Sequence, residues 1–371
     1  MLFDTMGMTV FMHLFAVVVF MAAGLCLFLL LLNRRLILIK DSPYKTPLIV
    51  FTFFALMLSS GVLGYAVGFS VWLLLPVVIL SGILVGEIRR AVIRWRFRGA
   101  LPVSRENVNI SLTQPFTTTE LQVAHYDVRC PNWKGGEFTV VHISDLHVND
   151  DLPRDYYMAV MKRVNEAKPD LVFITGDFVT KLEFISHVPG ILEAAASRLG
   201  VFAILGNHDY WAGAGRVADA VRSAGVALLH NGCQRVHVGN DGHVLICGCE
   251  DPWGESRWQS PCIADGEMVL ALTHTADNIY HLNQAGVTAV FAGHYHAGQV
   301  KIPVLGSLVV PSRYGRRFDH GHFVVNGTHL FVTSGIGAAM PSFRVYCQPD
   351  IFVVRFSGDG WAANHSLHPT A

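Results

Sequence analysis

The hydrophobic pattern divides the chain into an apolar first part and a longer part in which short apolar runs alternate with polar segments. Predominantly apolar stretches without a charged residue occupy residues 9–32, 48–69 and 71–85. At about 1.5 Å per residue, a helix over the first stretch is long enough to cross a hydrocarbon core of about 30 Å. We therefore predict an all-α transmembrane region of about three helices in residues 1–100, ending in a basic juxtamembrane segment.

Two alternatives stay open for these stretches. A cleaved signal peptide could account for the first, but its apolar run exceeds the usual length of about 7 to 15 residues, and its basic residues follow the run. The second and third stretches could form a re-entrant hairpin. That arrangement would change the number of spans without moving the rest of the chain to the other side of the membrane.

After a linker and leading strand (101–136), short β-branched-rich runs alternate with helical patterns. The runs lie at residues 138–143, 171–175, 201–205, 268–273 and 288–292. The helical segments lie at residues 154–167, 184–198, 217–224 and 276–284. Strands buried on both faces with helices between them indicate an α/β domain, and later apolar runs within 232–248 and 299–356 predict a second sheet. We predict an α/β fold, a layered β-sandwich flanked by helices, over residues 137–357, followed by a tail (358–371).

Composition and charge place the two parts in different surroundings. The chain is 51% hydrophobic and 15% charged with a mean hydropathy of +0.39, which excludes a disordered or wholly soluble protein. Residues 1–100 contain nine Lys or Arg against three Asp or Glu, a net charge of +6; the remaining residues contain 19 against 25, or −6. Short basic loops stay on the cytoplasmic side. We therefore predict a multi-pass protein of the cytoplasmic membrane with its large domain in the cytoplasm.

The basic segment 88–99 interleaves arginines with apolar residues. It could contact anionic headgroups of membrane lipids, or it could act only as a topology signal. Nucleic acid is not an expected partner, because the domain that follows is net acidic and offers no continuous basic track.

The seven cysteines are an odd number and include no C-x-x-C pair. One of them, Cys26, lies inside a predicted span. This pattern favours reduced thiols in a cytoplasmic compartment. Cys247 and Cys249 could be imagined as a soft-metal pair, but their setting in a strand favours packing.

Polar residues of the types that bind metal ions follow five of the predicted strands. They are Asp145 and His147, Asp177, Asn207 with His208 and Asp209, His274, and His294 with His296. Sites in α/β sheets form at the carboxyl ends of strands, so we expect these side chains to converge. In D-x-H and H-x-H, an extended chain would place both side chains on one side. Carboxylate, imidazole and amide ligands without thiolate suit Mn²⁺, Fe²⁺ or Zn²⁺, and the set is large enough for two ions.

The ordered blocks D-x-H, G-D, G-N-H-D, H and G-H-x-H resemble those of the calcineurin-like metallophosphoesterases. The resemblance implies the metallophosphoesterase fold and two divalent metal ions bridged by Asp177. It implies one metal held by Asp145, His147 and His296, and the other by Asn207, His274 and His294. His208 would be the proton donor or charge stabiliser at the leaving group, and Asp209 would orient it.

The blocks S-D-L-H, K-P-D-L-V-F-I-T-G-D and G-H-x-H-x-G-Q-V-K-I-P are similar to a bacterial membrane-anchored branch, which includes enzymes that cleave the pyrophosphate of UDP-2,3-diacylglucosamine. Two departures from that branch are Tyr295 with Ala297 in the last block, and the sequence H-T-A-D from His274 to Asp277. We expect both to alter the rim of the site.

The resemblance implies hydrolysis of a phosphoester or pyrophosphate bond, by a metal-bridging hydroxide, in a phosphorylated and possibly lipid-linked substrate. A phosphatase or phosphodiesterase acting on soluble or protein substrates is one alternative. A catalytically silent membrane receptor for a phosphorylated ligand is another. The sequence contains no G-x-S-x-G elbow and no G-x-x-x-x-G-K-[ST] loop. Candidate substrate clamps are Arg313, Arg316, Arg317 and Arg344.

Overall fold

The structure is a computed structural model that describes residues 2–39, 42–109, 111–239, 242–264, 266–303, 305–340 and 342–358. The chain forms two compact units. The first comprises residues 1–96 with 308–317, and the second comprises the described residues of 97–307 and 318–371. The predicted tail, apart from its first residue, lies outside the described residues.

Three helices dominate the described part of the first unit. They are α1 (Leu2–Leu31), which a π-helical turn (Leu32–Leu36) extends, α2 (Lys45–Val67) and α3 (Leu74–Phe97), which a 3-10 turn (Val71–Leu73) precedes. All three are long and apolar enough to cross a membrane. The predicted apolar helices are confirmed, while their arrangement in a bilayer stays a prediction.

The described part of the second unit contains fifteen strands and four α-helices. The strands are β1 (Ser104–Glu106), β2 (Gln122–Arg129), β3 (Phe138–Ile143), β4 (Leu171–Thr175), β5 (Gly200–Ile204), β6 (Ala227–Leu228), β7 (Cys233–Val238), β8 (Gly242–Cys249), β9 (Met268–Thr275), β10 (Ala289–Gly293), β11 (Lys301–Ile302), β12 (Gly306–Ser307), β13 (Gly321–Val325), β14 (Thr328–Val332) and β15 (Asp350–Ser357). The helices are α4 (Arg154–Glu166), α5 (Val188–Leu192), α6 (Asn207–Ser223) and α7 (Ile279–Gln284).

Two large sheets form a sandwich. One has the strand order β1-β2-β15-β3-β4-β5-β6 and the other β13-β14-β10-β9-β8-β7. Aromatic side chains from both sheets pack between them: Phe291 of the second sheet lies 5.1 Å from Phe173 of the first, ring centre to ring centre. Helices α4, α5 and α6 cover the other face of the first sheet, in a core that includes Val160, Ile191 and Val221. The predicted layered α/β fold is confirmed.

Some helix boundaries differ from those predicted. The segment predicted as a helix at 184–198 forms a 3-10 turn (Leu182–His187) and the short helix α5, which has a proline in its first turn. Helix α6 begins ten residues before its predicted start, at Asn207, and is broken at Gly213, where φ is 133°. The glycine-rich, polar composition of this first part hides its helical periodicity.

The prediction of reduced thiols is wrong for two cysteines. Cys233 of β7 and Cys247 of β8 are directly opposed on antiparallel strands, with their Cα atoms 4.1 Å apart, and form a disulfide. The other described cysteines are free, and Cys249 is buried as a packed side chain. The pair escapes detection in the sequence because only strand register brings these two positions together.

Candidate metal centre

Parallel strands of both sheets deliver the predicted ligands to one edge. Strands β3, β4 and β5 are parallel neighbours in the first sheet, and β9 and β10 are parallel neighbours in the second. Their carboxyl ends lead directly into the polar blocks. The structure brings all seven predicted metal ligands together: Asp145, His147, Asp177, Asn207, His274, His294 and His296.

The predicted extended backbone at the D-x-H and H-x-H residues is wrong, although their side chains do converge. Asp145, His147, His294 and His296 are not extended but have φ values of 53°, 45°, 68° and 47°. Left-handed backbone is uncommon for residues other than glycine and clusters at functional sites. These side chains therefore reach the site through tight turns after the strands, not through strand alternation.

Two glycines allow these turns to approach one another. A Cβ atom at Gly206 would lie 2.2 Å from the Asp177 Oδ1 atom, and one at Gly293 would lie 2.3 Å from the Asp145 Oδ2 atom. Any larger side chain would collide with a predicted ligand.

The first group of ligands comprises Asp145, His147 and His296. The Nε2 atoms of His147 and His296 lie 3.1 Å apart, and His296 Nε2 lies 3.3 Å from Asp145 Oδ1. Two imidazole nitrogens that face each other at this distance need a proton or a cation between them. The spacing suits ligands that share one ion.

The second group comprises Asp177, Asn207, His274 and His294. His274 Nε2 lies 3.2 Å from Asp177 Oδ2 and 3.0 Å from Asn207 Oδ1. The other ring nitrogen of His274, Nδ1, donates a hydrogen bond to the Thr175 carbonyl at 2.7 Å. That bond orients the ring and leaves the Nε2 lone pair for a metal.

Charge in the centre favours a cation. Burial opposes ionisation of Asp145, but the charge and hydrogen bonding of His296 outweigh it, so the pKa of this carboxyl lies below its ordinary value. Burial also disfavours protonated His274, yet the nearby Asp177 and Asp145 carboxylates raise its pKa to about 9. Burial lowers the pKa of His294 to about 3. The donor set therefore fits divalent ions of the predicted type.

The structure separates His208 from Asp209. The His208 ring packs against His147 and Trp211, each at 4.8 Å between ring centres. Among the described residues, no hydrogen bond joins it to Asp209. The buried Asp209 carboxylate instead accepts the backbone N–H groups of Gly206, Asp177, Phe178 and Val179, at 2.8, 2.8, 2.9 and 3.3 Å. Asp209 thus ties the loop after β4 to the loop after β5.

The four predicted substrate clamps fall in different units of the chain. Arg344 is fully buried; its guanidinium donates hydrogen bonds to the carbonyls of Ser334, Gly335 and Gly337 and lies 3.3 Å from His296 Nδ1. It supports the turns around a predicted ligand and is enclosed rather than open to a substrate. Arg313, Arg316 and Arg317 group with the helices of the first unit.

The two departures in the motifs contact each other. The Tyr295 hydroxyl donates to Asp277 Oδ1 at 2.8 Å and accepts from Thr275 Oγ1 at 3.1 Å. Tyr295 is only 1% exposed. The expectation that it alters the rim is therefore wrong, because its ring fills the interior beneath the ligands.

Sequence reasoning missed Trp253. Its ring lies 5.1 Å from that of His294 and 5.6 Å from that of His274, edge to face in both cases. The signal was weak, since Trp253 stands in a polar loop after β8 and outside the five polar blocks.

Comparison with known proteins agrees with this geometry. Residues 138–298 match the calcineurin-like phosphoesterase family. All seven predicted metal ligands lie within the matched residues. The chain is 26% identical over 223 residues to the uncharacterized metallophosphoesterase YkuE of Bacillus subtilis, covering 58% of this chain and 78% of that protein. It is 26% identical over 220 residues to phosphodiesterase YaeI of Escherichia coli, covering 58% and 80%.

A third relative is the UDP-2,3-diacylglucosamine pyrophosphatase LpxG of Chlamydia trachomatis. The identity is 25% over 217 residues, which cover 44% of this chain and 65% of that protein. The predicted resemblance and the prediction of a metal-dependent phosphohydrolase are confirmed.

Proposed function

We propose that this protein hydrolyses a phosphoester or pyrophosphate bond of a membrane-associated substrate with two divalent metal ions. The proposal depends mainly on the position of Asp177. Its Oδ2 atom lies 3.4 Å from His147 Nε2 and 3.2 Å from His274 Nε2, between the two groups of ligands. A carboxylate in that position suits a bridge between two ions about 3.5 to 4 Å apart.

Asp145, His147 and His296 would hold one ion; Asn207, His274 and His294 would hold the other. When bound, Mn²⁺, Fe²⁺ or Zn²⁺ ions supply Lewis-acid activation of water and neutralise phosphate charge. The protein side chains contribute a fixed, buried frame. Asp209 holds the loops on which Asp177 and Asn207 stand, which makes it a positioning residue.

His208 is the proposed proton donor to the leaving group. Its backbone N–H donates to Asp177 Oδ1 at 2.9 Å, which fixes the residue beside the proposed bridge. Its side chain is partly exposed, in contrast to the buried His147 and His274. A substrate can therefore reach this imidazole, while His147 and His274 stay enclosed.

The proposed class of substrate is supported by the three apolar helices and by two relatives. The chain has three helices that could cross a membrane, and it is similar to a named pyrophosphatase of UDP-2,3-diacylglucosamine and to a named phosphodiesterase. We favour a lipid-linked pyrophosphate or phosphodiester over a soluble or protein substrate. A silent receptor would have no need of the complete ligand set together with His208.

We propose that the protein lies in the inner membrane with its metal-binding domain in the cytoplasm, because its loops rich in Lys and Arg should stay on that side. The Cys233–Cys247 disulfide favours the opposite side, since such bonds persist in oxidising compartments. Trapping thiols in intact cells with a membrane-impermeant reagent separates the two. Exposed Cys262 is protected if the domain is cytoplasmic and labelled if it is exported.

The test of activity uses the purified full chain with Mn²⁺ and an aryl phosphodiester. Asp177→Asn and His208→Ala should each lower kcat by about a hundredfold or more, in the range of lost metal ligands and general acids. His187→Ala, an exposed histidine outside the site, is the matched control. Unchanged turnover in Asp177→Asn would refute the site. Incubation with a bacterial lipid extract, metal present against metal chelated, then identifies the substrate by product mass.

A further inference from the structure

The loop that follows strand β8 packs beside the second group of ligands. The β8 loop, as we call residues 250–253, comes directly after Cys249. Its first residue, Glu250, is only 1% exposed. The Glu250 carbonyl accepts the backbone N–H groups of Trp253 and Gly254, each at 2.9 Å. Glu250 and Trp253 are therefore joined within one tight turn.

The Glu250 carboxylate holds the G-N-H-D block at both of its ends. Its Oε1 atom accepts the backbone N–H of Leu205 at 2.7 Å, and the Tyr210 hydroxyl donates to its Oε2 atom at 2.5 Å. Leu205 directly precedes the block and Tyr210 directly follows it. A side chain from the second sheet thus fixes the turn that carries the ligand Asn207. His230 Nδ1, 3.1 Å from Oε2, gives the buried carboxylate a further partner.

The same loop is tied to the strand end that carries His274. The Nδ2 atom of Asn278 donates to the Asp251 carbonyl at 2.7 Å and to the Thr273 Oγ1 atom at 2.8 Å. Thr273 directly precedes His274. The Asn278 amide therefore connects the β8 loop to the backbone of a second ligand.

All these contacts lead to one group of ligands. The Trp253 ring packs against the rings of His274 and His294, which complete the second group. Among the described residues, no hydrogen bond or ring contact joins the β8 loop to the three ligands that the first group does not share, Asp145, His147 and His296. The loop supports the ligands of one proposed ion and not those of the other.

We propose that Glu250 is a positioning residue that sets the affinity of the second metal ion independently of the first. The inference rests on the proposed two-ion function. A ligand that is already held in place binds a metal more tightly, because less freedom is lost on binding. Loss of the Glu250 contacts should therefore weaken the ion held by Asn207, His274 and His294. The other ion shares only Asp177 with it and should be little affected.

The test is equilibrium dialysis of the full chain in detergent against a series of Mn²⁺ concentrations, with elemental analysis of the ions bound per chain. The wild type should bind two ions. E250A should bind one of them about ten- to a hundredfold more weakly, the range for supports of metal ligands, and the other within a few-fold of wild type. Equal weakening of both ions, or wild-type affinity for both, would overturn the proposal. A wild type that binds a single ion would refute the two-ion function itself, and this inference with it.

Two ligand variants identify the weakened ion. H274A removes a ligand of the second ion, so adding E250A should cause no further loss of metal. H296A removes a ligand of the first ion, and there E250A should have its full effect on the ion that remains. The reverse pattern would show that Glu250 supports the first ion, contrary to the proposal.

Asp170 provides the matched control. Its carboxylate also accepts a backbone N–H, that of Thr139 at 2.7 Å, but it stands at the amino end of β4, opposite to the end that carries ligands. D170A should keep both ions at wild-type affinity. Selective loss of one ion in D170A as in E250A would mean that general destabilisation is the cause, and would overturn the proposal.

Two milder variants keep the test decisive if E250A does not fold. E250Q retains an oxygen that can accept the Leu205 N–H and should recover most of the affinity for the second ion. Y210F removes a single hydrogen bond and should weaken that ion by a few-fold, with the first unchanged. If E250Q binds metal as weakly as H274A, or if Y210F binds both ions like the wild type, the hydrogen bonds of Glu250 do not set the affinity and the inference is wrong.

Discussion

The carboxylate of Asp209 accepts the backbone N–H of Asp177 at 2.8 Å, and through this bond a residue that lies outside the ligand set holds the proposed bridge of the metal centre. Three more backbone N–H groups complete its partners. The relationship separates two neighbouring residues, His208 and Asp209, into different roles.

We therefore expect Asp209→Ala to lose metal as well as activity. Each buried N–H group left without an acceptor costs about 1 to 3 kcal/mol. The Asp209→Ala variant should therefore also unfold at a lower temperature. His208→Ala should retain its metal content and its melting temperature while kcat falls. Elemental analysis and thermal unfolding check both, and Asp219→Ala, an exposed acid on α6, is the control. Full metal content in Asp209→Ala would contradict this role.

Metal binding should become tighter as pH rises towards 9. The carboxylates around His274 raise its pKa to about 9, so at pH 7 this imidazole is protonated and a metal must displace the proton. Apparent affinity should rise about tenfold per pH unit below that pKa. Calorimetry in two buffers with different ionisation enthalpies should show about one proton released per protein molecule at pH 7, when the ion held by His274 binds. Release of no proton would contradict the raised pKa.

Trp253 should matter for metal affinity without being a ligand. Its ring restricts the orientations of the His274 and His294 rings. Trp253→Ala should weaken metal binding by about tenfold, the scale of other supports around metal ligands. Trp253→Phe keeps an aromatic edge and should restore most of it. The two variants are compared by competition with a chelating dye, and equal losses would show that ring packing is not the cause.

Tyr295 and Asp277 should be coupled in stability. Tyr295→Phe removes the hydroxyl that donates to the Asp277 carboxylate, which should destabilise the fold by about 1 kcal/mol. Asp277→Ala should cost a similar amount, and the double variant should cost less than the sum of the two. Denaturant unfolding of the four proteins measures the coupling. Additive losses would mean that the hydrogen bond contributes nothing.

The disulfide can be tested by counting reactive thiols. Denatured protein without reductant should react with a thiol reagent at five cysteines, and reduced protein at seven. Cross-linking positions separated by 14 residues should stabilise the fold by about 3 kcal/mol, which Cys247→Ser would remove. Seven reactive thiols in both samples would show that the bond does not form.

Local features of the sequence were sufficient to predict the apolar helices, the strands that alternate with helices, and the ligand types at five strand ends. Each depends on neighbouring residues: an uninterrupted apolar run, a β-branched run, or a polar block directly after it. The convergence of the ligands followed from a general property of parallel strands, which place their carboxyl ends at one edge.

Only the tertiary structure decided which side chains act on one another across the chain. Asp209 accepts a hydrogen bond from the loop after β4, Arg344 is enclosed beside His296, and residues 308–317 group with the apolar helices. The left-handed turns at the ligands and the opposition of Cys233 and Cys247 also emerged only there. Such contacts join residues tens to hundreds of positions apart, and no local pattern records them because strand register and loop packing set the distances.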